Sequence, residues 1–187
     1  MPETPEEFWE RAKGALRTPP VEEWDSWPFD GVITPRILEP PVPEEPVRHG
    51  VGGVDCWHCN PADPVWSDEH WVVRSFDQPT GLPVVVILEP RRHVDFPDLD
   101  AELASELGPM LLRVYAAVAG VPGVGNVHIG RFGEGSEHCH IWFFGRPARM
   151  TQLRSSFAAI WDDVLPPTPE DVWHANLEIV HAELKRG

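Results

Sequence analysis

Two short stretches carry side chains that could do chemistry together: Cys56-Trp57-His58-Cys59, and Glu137-His138-Cys139-His140 at the start of an apolar run. Two thiolates separated by two residues can hold one tetrahedral Zn²⁺ from a tight turn. Without a metal, such a pair reads as redox-active or simply reduced. A tetrahedral site needs two more ligands from elsewhere in the chain. His93 and His138 are candidates, and His58, inside the loop, is a poorer one for geometric reasons. If the run 137–144 is a strand, side chains alternate between its faces. His138, His140, Trp142 and Phe144 then share one face, and Glu137, Cys139, Ile141 and Phe143 the other. Neutral imidazole is a good nucleophile toward phosphorus, and the phosphoramidate it forms is easily broken again. A second imidazole, bound to a metal or a neighbouring group, can fix the position of the first. Phosphoryl oxygens also need donors. The amides of the turn Gly133-Glu134-Gly135-Ser136, Gly135 and Ser136 among them, lie near in sequence, as do Arg131 and Arg146. Asp77, in Ser75-Phe76-Asp77-Gln78-Pro79, could accept both hydroxyls of a ribose. Trp57, Trp66, Trp71 and Trp142 divide between core and a possible base-stacking surface.

These residues need elements to position them. Residues 70–76 and 82–90 are rich in β-branched side chains and separated by a turn composition, which predicts a strand pair. Leu103, Leu107, Met110, Leu111, Val114 and Val118 keep helical spacing, and Gly120 closes that helix. Residues 126–132 and 137–144, joined by Gly133–Ser136, predict a hairpin. Two helices follow. One runs from about Met150 to Leu165; the other opens with the capping box Thr168-Pro169-Glu170-Asp171 and carries Trp173, Leu177, Val180 and Leu184 at helical spacing. At the other end, Thr4-Pro5-Glu6-Glu7 is a capping box for a short helix ending near Leu16. Residues 18–55 are proline-rich and aperiodic, and they predict an irregular arm anchored by Trp24, Trp27 and Phe29 rather than a disordered linker. The order of strand pair, helix, strand pair and helices implies an α+β domain with an antiparallel sheet. The expected divisions are a helix and arm over 1–55, the domain proper over 56–150, and a helical extension over 151–187.

Composition narrows the partners. The chain has 187 residues, with nine Trp and eight Phe, enough for one domain with a full core. Fifteen Lys plus Arg against thirty Asp plus Glu give a formal charge of −15. Such a surface repels nucleic acid and anionic lipid, so neither a nucleic-acid nor a membrane partner is expected, and a phosphate ligand must be held by a local set of donors. No stretch approaches the ~20 continuous apolar residues of a membrane span. The charged N-terminus lacks the apolar core of a signal peptide, so a cytoplasmic location is expected. Three cysteines do not make a disulfide framework.

Taken together, Cys-Trp-His-Cys, the run Phe76-Asp77 to Val84-Val-Val-Ile-Leu-Glu-Pro-Arg-Arg-His93, a long helix, and alternating histidines resemble, in that order, the histidine-triad (HIT) superfamily of nucleotide hydrolases and nucleotidyltransferases. The resemblance spans about residues 56–150. It implies a zinc site made of Cys56, Cys59, His93 and His138, and Asp77 on the ribose. It also implies a homodimer and a nucleotide or nucleotide-like phosphate ligand. The family motif is His-x-His-x-His, with the middle histidine as nucleophile. Placement up to Arg146 makes His138 the first, His140 the middle and Trp142 the third; an alternative register takes Ser136, His138 and His140. In either register one histidine is missing. Trp142 offers a single N–H where the family has a phosphate-binding histidine or glutamine, and Glu134 stands where a glutamine is usual. The resemblance therefore implies a zinc-containing enzyme acting at an α-phosphate through a covalent nucleotidyl-histidine at His140, or else a catalytically weakened nucleotide-binding or scaffold protein on the same fold.

Overall fold

Alternation of apolar side chains between two buried environments builds a sheet from the middle of the chain. The structure, a computed structural model, describes residues 10, 27, 29, 39–59 and 63–186. The strands are β1 (Trp66–Ser67), β2 (Trp71–Arg74), β3 (Val84–Pro90), β4 (Val124–Gly130) and β5 (Ile141–Pro147). They lie in the order β1-β2-β3-β5-β4, with every neighbouring pair antiparallel. Central β3 is buried at every residue. Its Val84, Val86 and Leu88 face the larger core, and Val85 faces a smaller one. Helix α1 (Ala101–Ala119) lays Leu103, Met110, Val114 and Val118 on the larger core, and helix α3 (Glu170–Arg186) adds Val180 and Leu184. Each such side chain, fully buried, contributes about 1.5–3 kcal/mol. Helix α2 (Ala158–Val164) closes the other face, where Ala159 and Trp161 pack against Leu82, Val85 and Phe144. The architecture is the α+β arrangement expected: an antiparallel sheet with a long helix packed on it.

Helix α1 starts where its cap dictates. The Asp100 side chain accepts from the Leu103 amide at 3.0 Å, satisfying one of the orphan donors of the first turn. Asp100→Ala is expected to destabilise the protein by about 1 kcal/mol, read as a shift in the urea midpoint at unchanged slope.

Two local expectations are corrected. The β4–β5 hairpin is not closed by Gly133–Ser136 alone: β4 ends at Gly130 and β5 begins at Ile141, so residues 131–140 form the connection and both histidines precede the strand. The reason is that backbone groups in this stretch are bonded elsewhere. Cys139 N–H donates to Val94 at 2.8 Å, Glu137 N–H donates to His49 at 3.0 Å, and Gly135 C=O accepts from His49 N–H at 3.0 Å. Face alternation nevertheless continues through it, with Cys139, Ile141 and Phe143 in the larger core and Trp142 and Phe144 at the smaller. The helix expected from Met150 is α-helical only as α2, after two 3-10 turns, Thr151–Leu153 and Ser155–Phe157. Arg149 and Ser155 have φ of 65° and 64°, which no α-helix accommodates. Thr168, ahead of α3, donates its hydroxyl to the Leu82 carbonyl at 3.2 Å.

The expected first helix, Glu10 apart, and the anchor Trp24 lie outside the described residues. Of the other anchors, Trp27 meets Phe29 and Phe157 edge-on at 5.5 and 5.0 Å between ring centroids.

Candidate functional site

The turn 56–59 is tight: Cys59 N–H donates to Cys56 C=O at 3.3 Å. Gly50 packs against it with φ 77°, and a Cβ there would lie 3.1 Å from Cys56 Cβ, so this neighbour must be glycine. His93 arrives from the loop after β3 and His138 from the loop before β5. The ligand atoms of Cys56, Cys59, His93 and His138 all lie within 4.8 Å of one another. His138 Nδ1 is 3.5 Å from Cys56 Sγ and 3.7 Å from Cys59 Sγ, and His93 Nδ1 is 3.4 Å from Cys59 Sγ. A tetrahedral Zn²⁺ with Zn–S ~2.3 Å and Zn–N ~2.0 Å sets sulfur-to-nitrogen edges of about 3.6 Å. These three sulfur-to-nitrogen distances fit a tetrahedral zinc.

The surroundings fix these donors. His138 is fully buried and donates Nε2–H to the Pro90 carbonyl at 2.8 Å, which turns the Nδ1 lone pair toward the thiols. Burial pushes its pKa down, favouring the neutral imidazole that ligates a metal. Glu137 Oε2 lies 3.7 Å from His93 Nε2 and accepts from Gly52 N–H at 2.7 Å. Burial, together with neighbouring Cys56, pushes the Cys59 thiol up to about 11, so a cation binding there displaces its proton. His58 is outside the cluster. Its Nδ1 lies 2.5 Å from Glu89 Oε1, and its ring stacks on His140 with centroids 4.9 Å apart and planes 6° apart.

His140 is buried, and both ring nitrogens face carbonyls: Nδ1 is 2.7 Å from His138 O, and Nε2 is 2.8 Å from Phe132 O. Both contacts are hydrogen bonds only when the ring carries two protons; with one, either Nδ1–H donates to His138 O and the Nε2 lone pair is turned toward Phe132, or the reverse. Trp142 is half-buried. It stacks on Phe144 at 5.7 Å and tilts against Phe76 at 5.5 Å, and it lines a cleft of about 510 Å³ with Phe76, Phe132 and Phe144. Asp77 lines a different cleft of about 880 Å³, with Trp57, Arg74 and Trp173 from α3. The two clefts meet at Phe76 and Pro79.

The remaining expected residues are placed as follows. Arg131 donates to Asp95 at 3.1 Å and lies over Phe96 at 5.0 Å. Ser136 is buried, its hydroxyl oxygen accepting from His138 N–H at 3.3 Å. Gly135 is exposed, with its carbonyl on His49. Arg146 is not brought to the histidines. It donates to the Pro147 and Met150 carbonyls near the far end of β5, and residues 140 to 146 span about 20 Å of extended chain.

Several groups at the site escaped the sequence reading. Arg74 Nε donates to both oxygens of Glu89 at 2.8 and 2.9 Å, and Glu89 itself is fully buried. A carboxylate inside the otherwise apolar run of β3 was the available signal. Arg48 donates to Asp95 at 2.7 Å and to the Gly133 carbonyl at 3.2 Å, tying the 48–50 segment to the histidine loop. Burial disfavours the charged form of Asp95, but Arg48, the Phe96 amide and Arg131 outweigh it and hold the carboxyl below the usual range. With a folded pKa below the unfolded ~3.9, Asp95 stabilises the fold at pH above that value, and the contribution fades as pH falls through it. The stability gap between wild type and Asp95→Asn is therefore expected to stay constant from pH 7 to about pH 5 and to close below about pH 4 in urea titrations.

No protein-family model matches the chain, and no curated protein matches it in sequence. Solved structures do resemble it. A hypothetical histidine triad nucleotide-binding protein from Sulfolobus tokodaii superposes with a TM-score of 0.53 at 14% identity, over 70% of this chain and 93% of that one. A zinc-bound histidine triad family protein from Mycobacterium smegmatis gives 0.49 at 16% identity, over 69% and 89%. The Sulfolobus likeness takes in nearly the whole of that protein, and on it the chain carries the histidine-triad fold.

Proposed function

We propose that the protein is a zinc-containing, histidine-triad-fold nucleotide hydrolase or nucleotidyltransferase, with His140 as the nucleophile. The observation that supports this is the Nδ1 contact of His140 with the His138 carbonyl, which, in the tautomer that donates from Nδ1, leaves Nε2 as the reacting atom. Cys56, Cys59, His93 and His138 hold the metal, which pins together the two loops flanking the histidines. His140 Nε2 forms a bond to the α-phosphorus as the bond to the leaving group breaks, and the leaving group takes a proton from water. Water or an acceptor then displaces the imidazole and returns the electron pair to Nε2. For this, the Phe132 carbonyl must give way to the phosphate. Asp77 holds the ribose, and Arg131 with the turn amides of Gly135 and Ser136 faces the phosphate oxygens. Trp142 supplies an aromatic wall beside the reacting group.

A second reading has its own observation. Phe132 O caps Nε2 at 2.8 Å, which suits a nucleotide-binding protein whose imidazole does not react. All three cysteines are free, as a cytoplasmic location requires, and among the described residues no helix is long and apolar enough to cross a membrane. A homodimer completes the proposal, checked by sedimentation of the zinc-loaded chain.

The test is intact-protein mass spectrometry after brief exposure to adenosine and guanosine 5′-phosphoramidates, quenched without acid. A nucleotidyl adduct on wild type that is absent from His140→Ala supports the enzyme. An adduct lost in His138→Ala but kept in His140→Ala places the nucleophile at His138. Binding without adduct or turnover supports the second reading.

A further inference from the structure

We infer that His58 is a positioning residue for His140. The inference deepens the catalytic reading above, because it concerns how the reacting imidazole is held. The two ring nitrogens of His140 each face a carbonyl at the ring edge, at 2.7 Å and 2.8 Å. Such contacts resist sliding within the plane and leave tilting free. The face of the ring is where the tilt is stopped, and His58 lies flat on that face, 4.9 Å between centroids and 6° between planes.

His58 is itself held at its backbone and at Nδ1. Cys56 and Cys59 flank it in a closed turn, so the position of its backbone follows from the metal-type knuckle. Its Nδ1 lies 2.5 Å from Glu89 Oε1 and 2.8 Å from Arg74 Nη2. Glu89 stands on β3 one residue beyond Leu88, which pairs with Ile141, so its carboxylate is on the sheet beside His140. This carboxylate does not depend on His58 for compensation, since Arg74 Nε reaches both of its oxygens. The ring of His58 is thus neither a metal ligand nor the sole partner of a buried charge. What its placement accomplishes is to cover the imidazole that the Proposed function makes reactive. An imidazole from the Cys-x-x-Cys loop is thus the ring that holds the face of His140.

The experiment uses the full chain supplied with zinc, in wild type, His58→Ala, His58→Phe and Glu89→Gln. Two readouts are taken: the ring ¹⁵N and ¹H signals of His140 in long-range correlation spectra, assigned by comparison with His140→Ala, and the kinetics of adenosine 5′-phosphoramidate hydrolysis. In His58→Ala, the His140 ring signals are expected to move toward those of a mobile imidazole, with kcat down about 100-fold and KM unchanged, as loss of orientation demands. His58→Phe, which restores a flat ring without the Nδ1 contact, is expected to recover most of the rate and the wild-type signals. Glu89→Gln, which loosens His58 without removing it, is expected to fall between. The inference is overturned if His58→Ala leaves the His140 signals and kcat unchanged, or if His58→Phe recovers no more than alanine does. If wild type shows no hydrolysis while the His140 signals still move in His58→Ala and return in His58→Phe, the catalytic reading fails and the positioning role stands.

Discussion

Cys59→Ser is expected to lose stoichiometric zinc and to lower the melting temperature of the metal-loaded protein by roughly 10 °C. Serine keeps the shape and removes the thiolate; its hydroxyl stays protonated where a metal ligand must not. The consequence reaches beyond one bond, because the cluster joins three segments far apart in sequence: the 56–59 turn, the loop after β3 and the loop before β5. A metal held a thousandfold above its dissociation constant stabilises the native state by about 4 kcal/mol. For a chain of this size that energy corresponds to a shift of roughly 8–16 °C. Elemental analysis and thermal unfolding with and without chelator check this. Wild type should melt lower in chelator, and Cys59→Ser should be indifferent to it. A variant that still carries one zinc per chain and melts with wild type would show that the four side chains are not the binding site.

His140→Ala is expected to reduce nucleotidyl transfer from phosphoramidate donors by at least about 1000-fold, with donor affinity little changed. When the nucleophile of a covalent mechanism is removed, what remains is the contribution of binding and charge stabilisation. Trp142, Asp77 and Arg131, which the proposal assigns to binding the donor, are untouched by the substitution, so on that proposal binding is expected to survive. The measurement is single-turnover decay of adenosine 5′-phosphoramidate alongside a binding titration. Equal rates in wild type and His140→Ala would remove His140 from the chemistry. A parallel loss of binding would instead mean that emptying the space under His58 has collapsed the loop, a possibility the melting curves of the same two proteins report directly.

What the sequence by itself determined was whatever depends on local pattern. The β-branched runs around residues 71–74 and 84–90 and the helical spacing from Leu103 to Val118 closed at Gly120 specify their elements through near neighbours alone. The alternation of Cys139, Ile141 and Phe143 against Trp142 and Phe144 was legible for the same reason: a period of two survives even where the ladder has not yet begun. Cys56 and Cys59 announced their turn by spacing, and the resemblance supplied His93 and His138 as their companions.

What only the tertiary structure decided was where the backbone and the charges found distant partners. Residues 131–140 stay out of the hairpin because Val94 and His49 take their amides and carbonyls, which no window of local sequence contains. Arg149 and Ser155 break the expected helix through backbone angles that their side chains do not signal. Arg131 is drawn to Asp95, which it shares with Arg48 from the 48–50 segment, while Arg146 is carried to the far end of its strand. His58, the poorer metal candidate by spacing, turns to Glu89 and Arg74, which two neighbouring strands bring beside it. Spacing along the chain sets which residues can meet within a turn, a strand or a helix; which imidazole lies against which is settled only when the sheet has brought separate loops to one edge.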